Sequence, residues 1–382
     1  MTVRDAEIVV AGAGPVGLAA AISLHQAGRD AVLVSPQRPA DERTSALLAG
    51  SVAFLESAGI WPGVLAQAAP LASLRIVDAT RRLIRAPEVL FHAAEIDLDQ
   101  FGFNVANRDL IAALEATAER LGLRRIAAAV EDARWDEDAA ILALSGGGTI
   151  AAKLVVAADG RRSRLRELAG IGTDEWRYPQ AALVANLGHA RGHEDTSTEF
   201  HYEGGPFTLV PLPGRRSSLV WVDEPAAIDR AAALPPAELA ATVEERSFSL
   251  LGEVAIDGSL QVFPLSGMTA GSVRSRRLVL VGEAAHVVPP IGAQGLNLGY
   301  RDVAALGRLL AGAGDPGGDD LLAAYERARR ADVLTRTLAV DALNRTLLTG
   351  FLPAQALRGA GLFLLDRVPA LRRAVMRQGV AG

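Results

Sequence analysis

The chain has 382 residues, of which half are hydrophobic and 22% are charged, and its formal net charge is −5. That length allows two or three domains with sizeable cores. A weakly acidic chain with 5% aromatic residues lacks the basic face or stacking rings of a nucleic-acid-binding protein. The absence of cysteine excludes disulfides, zinc–thiolate sites and catalytic thiols, so any redox chemistry would depend on a bound cofactor.

The first uncharged stretch covers residues 8–28 and is long enough to resemble a membrane span or signal peptide. It is interrupted by glycine and proline at Gly12, Gly14, Pro15, Gly17 and Gly28. This pattern predicts a strand, a tight turn and a helix instead. We therefore expect a cytoplasmic protein.

The glycines of this turn form a Gly-x-Gly-x-x-Gly motif, which is typical of dinucleotide binding. Gly12 permits the turn, Gly14 lets the backbone approach a pyrophosphate, and Gly17 lets helix and strand pack closely. The motif usually has an acid at the end of the second strand to bind a ribose, but Ser35 stands there with Arg38 nearby. A serine still hydrogen-bonds a ribose hydroxyl. An arginine pocket for the 2′-phosphate of NADP is the alternative, and it would indicate a dehydrogenase.

The next part of the chain continues the α/β pattern. Residues 43–59 and 107–122 predict helices, and the second of these is amphipathic. Residues 126–150 predict a meander of short strands, and residues 154–158 predict a buried strand.

From residue 181 to residue 262 the sequence consists of short segments in which apolar and polar residues alternate, separated by turns. This pattern indicates an antiparallel sheet. A polar helix is predicted near residues 237–250. A buried strand returns at residues 278–282, and a long helix is predicted from residue 297. This order indicates a second domain inserted into an α/β domain.

Two later motifs combine glycine with a strand end. Asp159 and Gly160 follow a buried strand and precede four arginines, which fits an anion site or a solvated helix start. Residues 282–297 run from a strand through a proline turn and a glycine loop into a helix. The glycines and the helix N-terminus would favour a negative group such as the N1–O2 edge of a reduced flavin.

These motifs resemble the three signatures of the class A FAD-dependent aromatic monooxygenases, in the right order and at the right separations. Further stretches resemble the ubiquinone-biosynthesis hydroxylases within that class, which are related to para-hydroxybenzoate hydroxylase. Those stretches are residues 41–47, 101–107, 299–303 and 365–369. The resemblance covers nearly the whole chain.

The resemblance implies an α/β fold in which a Rossmann-like FAD-binding domain of the glutathione-reductase type interleaves with an antiparallel-sheet substrate domain. The FAD-binding domain would comprise residues 1–73, 98–180 and 266–342. The substrate domain would comprise residues 74–97 and 181–265, and residues 343–382 would form a C-terminal helical tail.

The resemblance also implies a set of cofactor-binding residues. They are Gly12, Gly14, Pro15, Gly17, Ser35, Arg43, Arg108, Asp159, Gly282, Glu283, Pro290, Gly292, Gln294, Gly295, Leu296 and Asn297. Arg43 and Arg108 would reach the FAD phosphates, and Asp159 would serve both FAD and NADH or NADPH. Leu296 and Asn297 would offer backbone amides to the flavin. Glu283, like Ser35, departs from the family pattern, which puts tight retention of FAD in doubt.

The implied reaction is NAD(P)H-dependent hydroxylation of a phenolic ring by O2 through a C4a-hydroperoxyflavin. Pro290 would lie beside the substrate. Tyr202, Phe207 and Trp221 are the candidate substrate wall, with core packing as the alternative for each. A polyprenylated quinone precursor is the expected substrate. The alternative hypotheses are a hydroxylase of a small soluble aromatic and a flavoprotein that no longer hydroxylates.

The remaining features are a histidine pair and the C-terminal tail. His189 and His193 are four residues apart, but no third ligand is evident and we predict no metal site. From residue 343 onward there are six arginines, one acid and several large apolar residues. This amphipathic tail predicts contact with the inner face of a membrane. Packing against the FAD domain, a dimer partner or a biosynthetic complex is the alternative.

Overall fold

The computed structural model describes residues 3–37, 41–81, 85–290, 292–348 and 367–380, together with Gly361 and Phe363. All structural statements below concern these residues. Arg38 and much of the predicted tail, including residues 349–360, lie outside them.

The strands follow one another along the chain as β1 (Val3–Ala11), β2 (Ala31–Val34), β3 (Thr44–Leu48), β4 (Ala68–Pro70), β5 (Ser73–Asp78), β6 (Val89–His92), β7 (Gly102–Ala106), β8 (Arg124–Ile126), β9 (Val130–Trp135), β10 (Ala140–Leu144), β11 (Thr149–Ala157), β12 (Thr173–His189), β13 (Thr196–His201), β14 (Pro206–Leu212), β15 (Arg216–Asp223), β16 (Val254–Ala270), β17 (Arg274–Ser275), β18 (Leu278–Leu280) and β19 (His286–Val287). The α-helices are α1 (Pro15–Gln26), α2 (Ala49–Ser57), α3 (Asn107–Arg120), α4 (Arg164–Leu168), α5 (Pro225–Ala232), α6 (Pro236–Arg246), α7 (Gln294–Leu310), α8 (Asp319–Leu348) and α9 (Pro369–Val380).

The first sheet has a parallel centre in the order β18-β11-β1-β2-β8. The runs Ile8–Ala11, Ala31–Val34, Leu154–Ala157 and Leu278–Leu280 are apolar and buried on both faces, as in α/β proteins generally, whereas the edge strand β8 is largely exposed. Side chains of α1, α3, α7 and α8 cover one face of this sheet. Strand β10 pairs antiparallel with the first half of β11, and β9 pairs antiparallel with β10. The predicted βαβ unit at the start of the chain is confirmed.

The prediction of one helix over residues 43–59 is wrong in its first half. Residues 44–48 form β3, which pairs antiparallel with β7 in a small sheet that also contains β4. The pairing depends on a close approach at Gly102, where an added Cβ would lie 2.0 Å from the carbonyl oxygen of Leu47. The helix begins only at Ala49, because this long-range strand pairing overrides the local helical pattern.

The second sheet has eight strands in the order β19-β16-β12-β15-β14-β13-β5-β6. It is antiparallel except where β13 runs parallel to β5. Helices α5 and α6 pack on one of its faces. Strands β12 and β16 run beyond residues 181 and 265 into the segments that precede and follow, so the two sheets share continuous chain. The domain boundaries themselves remain a prediction.

The C-terminal helix α9 packs on the outer end of the second sheet and not on the parallel sheet. Met376 joins a small core with Val89 and Phe91. The guanidinium of Arg372 donates to both carboxylate oxygens of Glu95, at 2.6 and 2.7 Å, and lies 4.6 Å from the ring centre of Phe91. Within the described ranges, no helix combines the length and the apolar character that crossing a bilayer requires.

Candidate functional site

Four neighbouring parallel strands end at one edge of the first sheet. Ala11 stands opposite Val34 and Ala157, and Ala157 stands opposite Leu280. The residues that follow these strand ends belong to the three glycine motifs and the Ser35 position. The carboxyl edge of an open parallel sheet is where such folds bind ligands. The structure therefore brings the separate motifs of the sequence to one place.

The turn between β1 and α1 can only be made with glycine. Gly12 has φ +110°, and an added Cβ would lie 2.2 Å from the Ala158 carbonyl oxygen. At Gly17 an added Cβ would lie 1.9 Å from the Gly12 carbonyl oxygen. Helix α1 starts with Gly14 at its N-cap and Pro15 in its first turn, without a capping side chain or an acid. Its first amides are left available to an anionic group.

The third motif packs directly on the first. Val16 touches the position that a Cβ of Gly282 would occupy, at 3.2 Å, and the corresponding position of Gly299, at 2.5 Å. Glycine at 282 and 299 thus allows α7 to approach the start of α1. The two helix N-termini are held in a fixed relation by this contact.

Asp159 carries an unused hydrogen-bonding group at this edge. Its Oδ2 accepts the backbone N–H of Leu165 at 3.1 Å. Its Oδ1 is buried and has no hydrogen-bond partner among the described residues. Burial raises the pKa of Asp159 above its ordinary value, and hydrogen bonds from Ser163 and from backbone amides offset this only in part. A buried acceptor without a partner fits a site completed by a ligand hydroxyl.

Helix α7 begins with an uncapped N-terminus. Ala293 is the N-cap in the left-handed region at φ 55°, with no capping side chain and no acid in the first turn. The side chain of Asn297 is fully used elsewhere. Its Oδ1 accepts the Leu48 N–H at 2.9 Å and the Ser51 hydroxyl at 2.6 Å, and its Nδ2 donates to the Ala46 carbonyl at 2.8 Å. Asn297 therefore fixes α7 against β3 and leaves the backbone amides of the first turn to bind an anion.

The loop before α7 is open. Pro290, Gly292 and Gly295 are exposed, Leu296 is half-buried, and Gln294 donates to the Gly292 carbonyl at 2.8 Å. Of the predicted flavin-facing residues, Leu296 is therefore partly accessible, whereas Asn297 is buried.

The two predicted phosphate arginines are held by acids. Both Nε and Nη2 of Arg43 donate to Asp41 at 2.8 Å. The bonds from Asp41 raise the pKa of Arg43 despite burial, and the charge of nearby Glu283 adds to the effect. Arg108 is exposed and lies 3.4 Å from Glu42. Asp41 thus orients the Arg43 guanidinium through two hydrogen bonds, whereas the exposed Arg108 contact is weak.

The two positions that depart from the family pattern lie at the same edge. Ser35 follows β2, and its hydroxyl donates to the Pro36 carbonyl at 3.0 Å. Glu283 is exposed in a short 3-10 turn over Gly282–Ala284. Both side chains are accessible to the sugar part of a nucleotide.

The predicted aromatic wall is part of a packed core. Phe207 and Trp221 are buried with ring centres 5.7 Å apart, and Tyr202 lies 6.4 Å from Phe207. The guanidinium of Arg246 on α6 stacks 4.1 Å from the Tyr202 ring and 4.4 Å from the Trp221 ring. The rings face the layer of α5 and α6, so we do not assign them to a substrate wall. Strand alternation puts them on the covered face.

The opposite face of this sheet was missed from the sequence. Val184, Val220 and Thr208 stand side by side across β12, β15 and β14, and each is half-buried. In the next row, Ser218 accepts a hydrogen bond from Asn104 of β7 at 3.2 Å. This contact shows that the face lies against the small sheet that contains β7. The period-two alternation that could have identified these residues was visible in the sequence, but it did not say which face was covered.

The histidine pair near residue 190 is bound to protein groups. The His189 imidazole contacts the Arg191 carbonyl at 2.7 Å and the Ser217 hydroxyl at 3.0 Å. His193 contacts the Leu212 carbonyl at 3.0 Å. Burial lowers the pKa of His189.

Comparison with known proteins identifies the family. The profile of a family described as FAD binding domain matches residues 5–338. Ubiquinone hydroxylase UbiL of Rhodospirillum rubrum is 34% identical, covering 99% of this chain and 90% of that protein. The 3-demethoxyubiquinol 3-hydroxylase of Escherichia coli is 32% identical and covers 99% of both chains.

A solved structure shares the fold. The p-nitrophenol 4-monooxygenase PnpA of Pseudomonas putida superposes with a TM-score of 0.81 at 21% identity, over 99% of each chain. The expected α/β fold and the use of FAD are thereby confirmed. The chain belongs to the FAD binding domain family and is a flavoprotein monooxygenase of the branch that contains the ubiquinone-biosynthesis hydroxylases.

Proposed function

We propose that this protein hydroxylates the phenolic ring of a polyprenylated quinone precursor, with NADH or NADPH as the reductant. The supporting observation is the alignment of Gly12, Asp159 and Gly282 after parallel strands that end at one edge. Overall, one O2 and one NAD(P)H with a proton convert a ring C–H to C–OH and release water and NAD(P)⁺. FAD supplies the reduction of oxygen in this scheme, and the protein supplies binding and orientation.

The residues around the cofactor would divide the work as follows. The first amides of α1 would bind the pyrophosphate, and the free Oδ1 of Asp159 would accept a hydroxyl of the nucleotide. The amides of Leu296 and Asn297 would stabilise negative charge on the flavin. Pro290 would border the substrate. Asp41, which accepts two hydrogen bonds from Arg43, would keep its guanidinium oriented toward the phosphates.

The substrate assignment rests on the relatives and on the apolar face of the second sheet. Both relatives described above are named for reactions on ubiquinone or its precursors. The row of Val184, Val220 and Thr208 offers an uncharged and partly aliphatic wall, with Gln261 and Glu199 as its neighbours on either side. Such a wall would bind a prenylated ring and exclude water from the reacting oxygen. The match to an FAD family argues against the NADP-dependent dehydrogenase.

The decisive experiment combines oxygen consumption with product analysis. The FAD-loaded protein is mixed with NADH or NADPH and a panel of phenols, from small soluble compounds to prenylated ones. We expect hydroxylated product in near-equal amount to O2 consumed for a prenylated phenol. Preference for a small soluble phenol would overturn the substrate assignment, and hydrogen peroxide as the only product with all phenols would overturn the hydroxylase.

We further propose that the tail places the protein on a membrane surface. Helix α9 is docked through Arg372 and Met376, while Leu371 and Val375 remain 42% and 44% exposed. Exposed Arg373 and Arg377 lie on the same helix. Exposed apolar residues beside arginines suit a bilayer with anionic lipids, and a membrane-embedded substrate would be reached from there.

Vesicle sedimentation tests this contact. Full-length protein should sediment with vesicles that contain phosphatidylglycerol and much less with pure phosphatidylcholine. The double variant Leu371→Asp with Val375→Asp should lose sedimentation. The control, Ala328→Asp with Ala331→Asp on exposed positions of α8, carries the same added charge and should retain it. Equal loss in both double variants would reject α9 as the contact.

A further inference from the structure

A chain of charged side chains joins the two ends of the segment from Gly282 to Gln294. At one end, Oδ2 of Asp302 accepts the backbone N–H of Gly282 at 2.8 Å. At the other end, Nη1 of Arg336 donates to Oε1 of Gln294 at 3.1 Å. The amide of Gln294 in turn donates to the Gly292 carbonyl at 2.8 Å. Both ends of the third motif are therefore held by side chains of α7 and α8.

The interior of this chain consists of ion pairs without a break. Nε of Arg329 donates to Asp302 at 2.7 Å, and its Nη1 donates to Asp332 at 2.8 Å. Asp332 also accepts from Nε of Arg336 at 3.0 Å and from Arg301 at 3.2 Å. One carboxylate thus fixes three guanidinium groups. Such connected networks hold each member in one geometry more strongly than isolated pairs do.

Burial makes the inner end of the network rigid. Asp302 is 1% exposed and is also bonded to Nε2 of His286 at 2.7 Å. The Arg329 side chain is 6% exposed, whereas the Asp332 and Arg336 side chains are 25% and 16% exposed. The outer end can therefore be altered with less risk to the core.

The network also adds positive charge beside the start of α7. It contains three arginines and two aspartates, and Arg336 contacts the first residue of the helix. The dipole of α7 has the same sign at that end. Both favour an anionic group at the N-terminus of the helix.

We infer that Asp332 and Arg336 are positioning residues for FAD. They set the conformation of the loop that carries Pro290 and Gly292, and Arg336 contributes charge that stabilises the reduced flavin. The inference rests on the use of FAD and does not depend on which ring is hydroxylated. No sequence motif indicates this role, because Asp332 and Arg336 of α8 act together with Asp302 and Gln294 of α7.

The test compares Arg336→Gln, Arg336→Lys and Asp332→Asn with the control Arg330→Gln, an exposed arginine of the same helix. FAD affinity is measured by titration of the apoprotein, and the flavin midpoint potential is measured on the loaded protein. We expect Arg336→Gln and Asp332→Asn to weaken FAD binding roughly tenfold, about the loss of one charge-assisted hydrogen bond. Arg336→Gln should make the midpoint potential more negative, and Arg336→Lys, which keeps the charge, should restore it.

Thermal unfolding of the apoproteins separates positioning from a general loss of fold. The expected result is a nearly unchanged melting temperature for Arg336→Gln and Arg330→Gln. The inference would be overturned if FAD affinity stayed within twofold of wild type in Arg336→Gln and Asp332→Asn and the midpoint potential of Arg336→Gln stayed within a few millivolts of it. Equal changes in Arg330→Gln would overturn it too. A wild-type protein that binds FAD but makes no hydroxylated product would refute the proposed reaction and leave this inference standing.

Discussion

The edge of the parallel sheet and the face of the second sheet build their parts of the site in different ways. At the edge, the proposed binding groups are backbone amides beside Gly12, Gly17 and Gly282, and close contacts dictate glycine at these positions. On the second sheet, the proposed wall consists of ordinary side chains such as Val184 and Val220, whose orientation depends on which face the helices cover. Cofactor sites of the first kind leave motifs in a sequence, and substrate walls of the second kind do not.

The largest effect is expected at the glycine turn. Gly17→Ala puts a methyl group 1.9 Å from the Gly12 carbonyl oxygen and should reduce FAD affinity by at least about a hundredfold. The measurement is FAD titration of the apoprotein. Gly307→Ala in α7 is the control, because nothing lies within 4 Å of its added Cβ and alanine favours a helix. Wild-type affinity in Gly17→Ala would refute the backbone-built site.

The next effect concerns the buried carboxylate of Asp302, which is bonded to Gly282, His286 and Arg329. Burial alone would raise the pKa of Asp302, but the charges of His286 and Arg329 and the Gly282 amide lower it below the ordinary value. A lowered folded-state pKa means that the stabilisation is present above about pH 4 and is lost as the pH falls through the folded pKa.

Asp302→Asn should therefore lower the free energy of unfolding at pH 7 by about 3–5 kcal/mol, since it leaves the Arg329 charge buried and unpaired. Its stability should also depend less on pH below 4. Urea denaturation at pH 7 and at lower pH measures both. Asp320→Asn, an exposed change on α8, should leave both unchanged. If the free energy of unfolding of Asp302→Asn fell with decreasing pH as steeply as that of the wild type, the lowered pKa of Asp302 would be excluded.

A smaller effect distinguishes the two faces of the second sheet. Val220→Trp places a larger side chain on the proposed substrate wall. It should reduce the rate of hydroxylation about tenfold while FAD binding persists. Trp221→Phe changes the neighbouring residue on the helix-covered face, and should lower stability by about 1–2 kcal/mol with near-normal turnover. Product formation and urea denaturation are measured for both. The reverse outcome would restore the aromatic wall predicted from the sequence.

The smallest effect is expected where α9 meets the second sheet. Arg372→Ala removes the bonds to Glu95, a carboxyl whose pKa they lower, and should cost about 1–2 kcal/mol. The adjacent Arg373→Ala, on the exposed side, should change stability by less than about 0.5 kcal/mol. Thermal unfolding compares the two. Equal effects would mean that the bonds to Glu95 do not stabilise the docked helix.

Local pattern predicted much of the nucleotide-binding half. The run from residue 8, the turn at Gly12 and helix α3 follow from apolar periodicity and from the backbone freedom of glycine. Local pattern failed at residues 44–48, where pairing with β7 converts a helical pattern into a strand. It left both roles open at Trp221, because an aromatic residue in a sheet has the same sequence signature on either face.

The sequence by itself determined the class of cofactor site, since only glycine tolerates the left-handed or crowded backbone of these turns and only a helix N-terminus gathers several free amides. Tertiary structure decided which strand ends meet, which sheet face lies under α5 and α6, and how Arg329, Asp332 and Arg336 join across two helices. Those outcomes depend on contacts between residues far apart in the chain, and such contacts leave no periodic signal in the sequence.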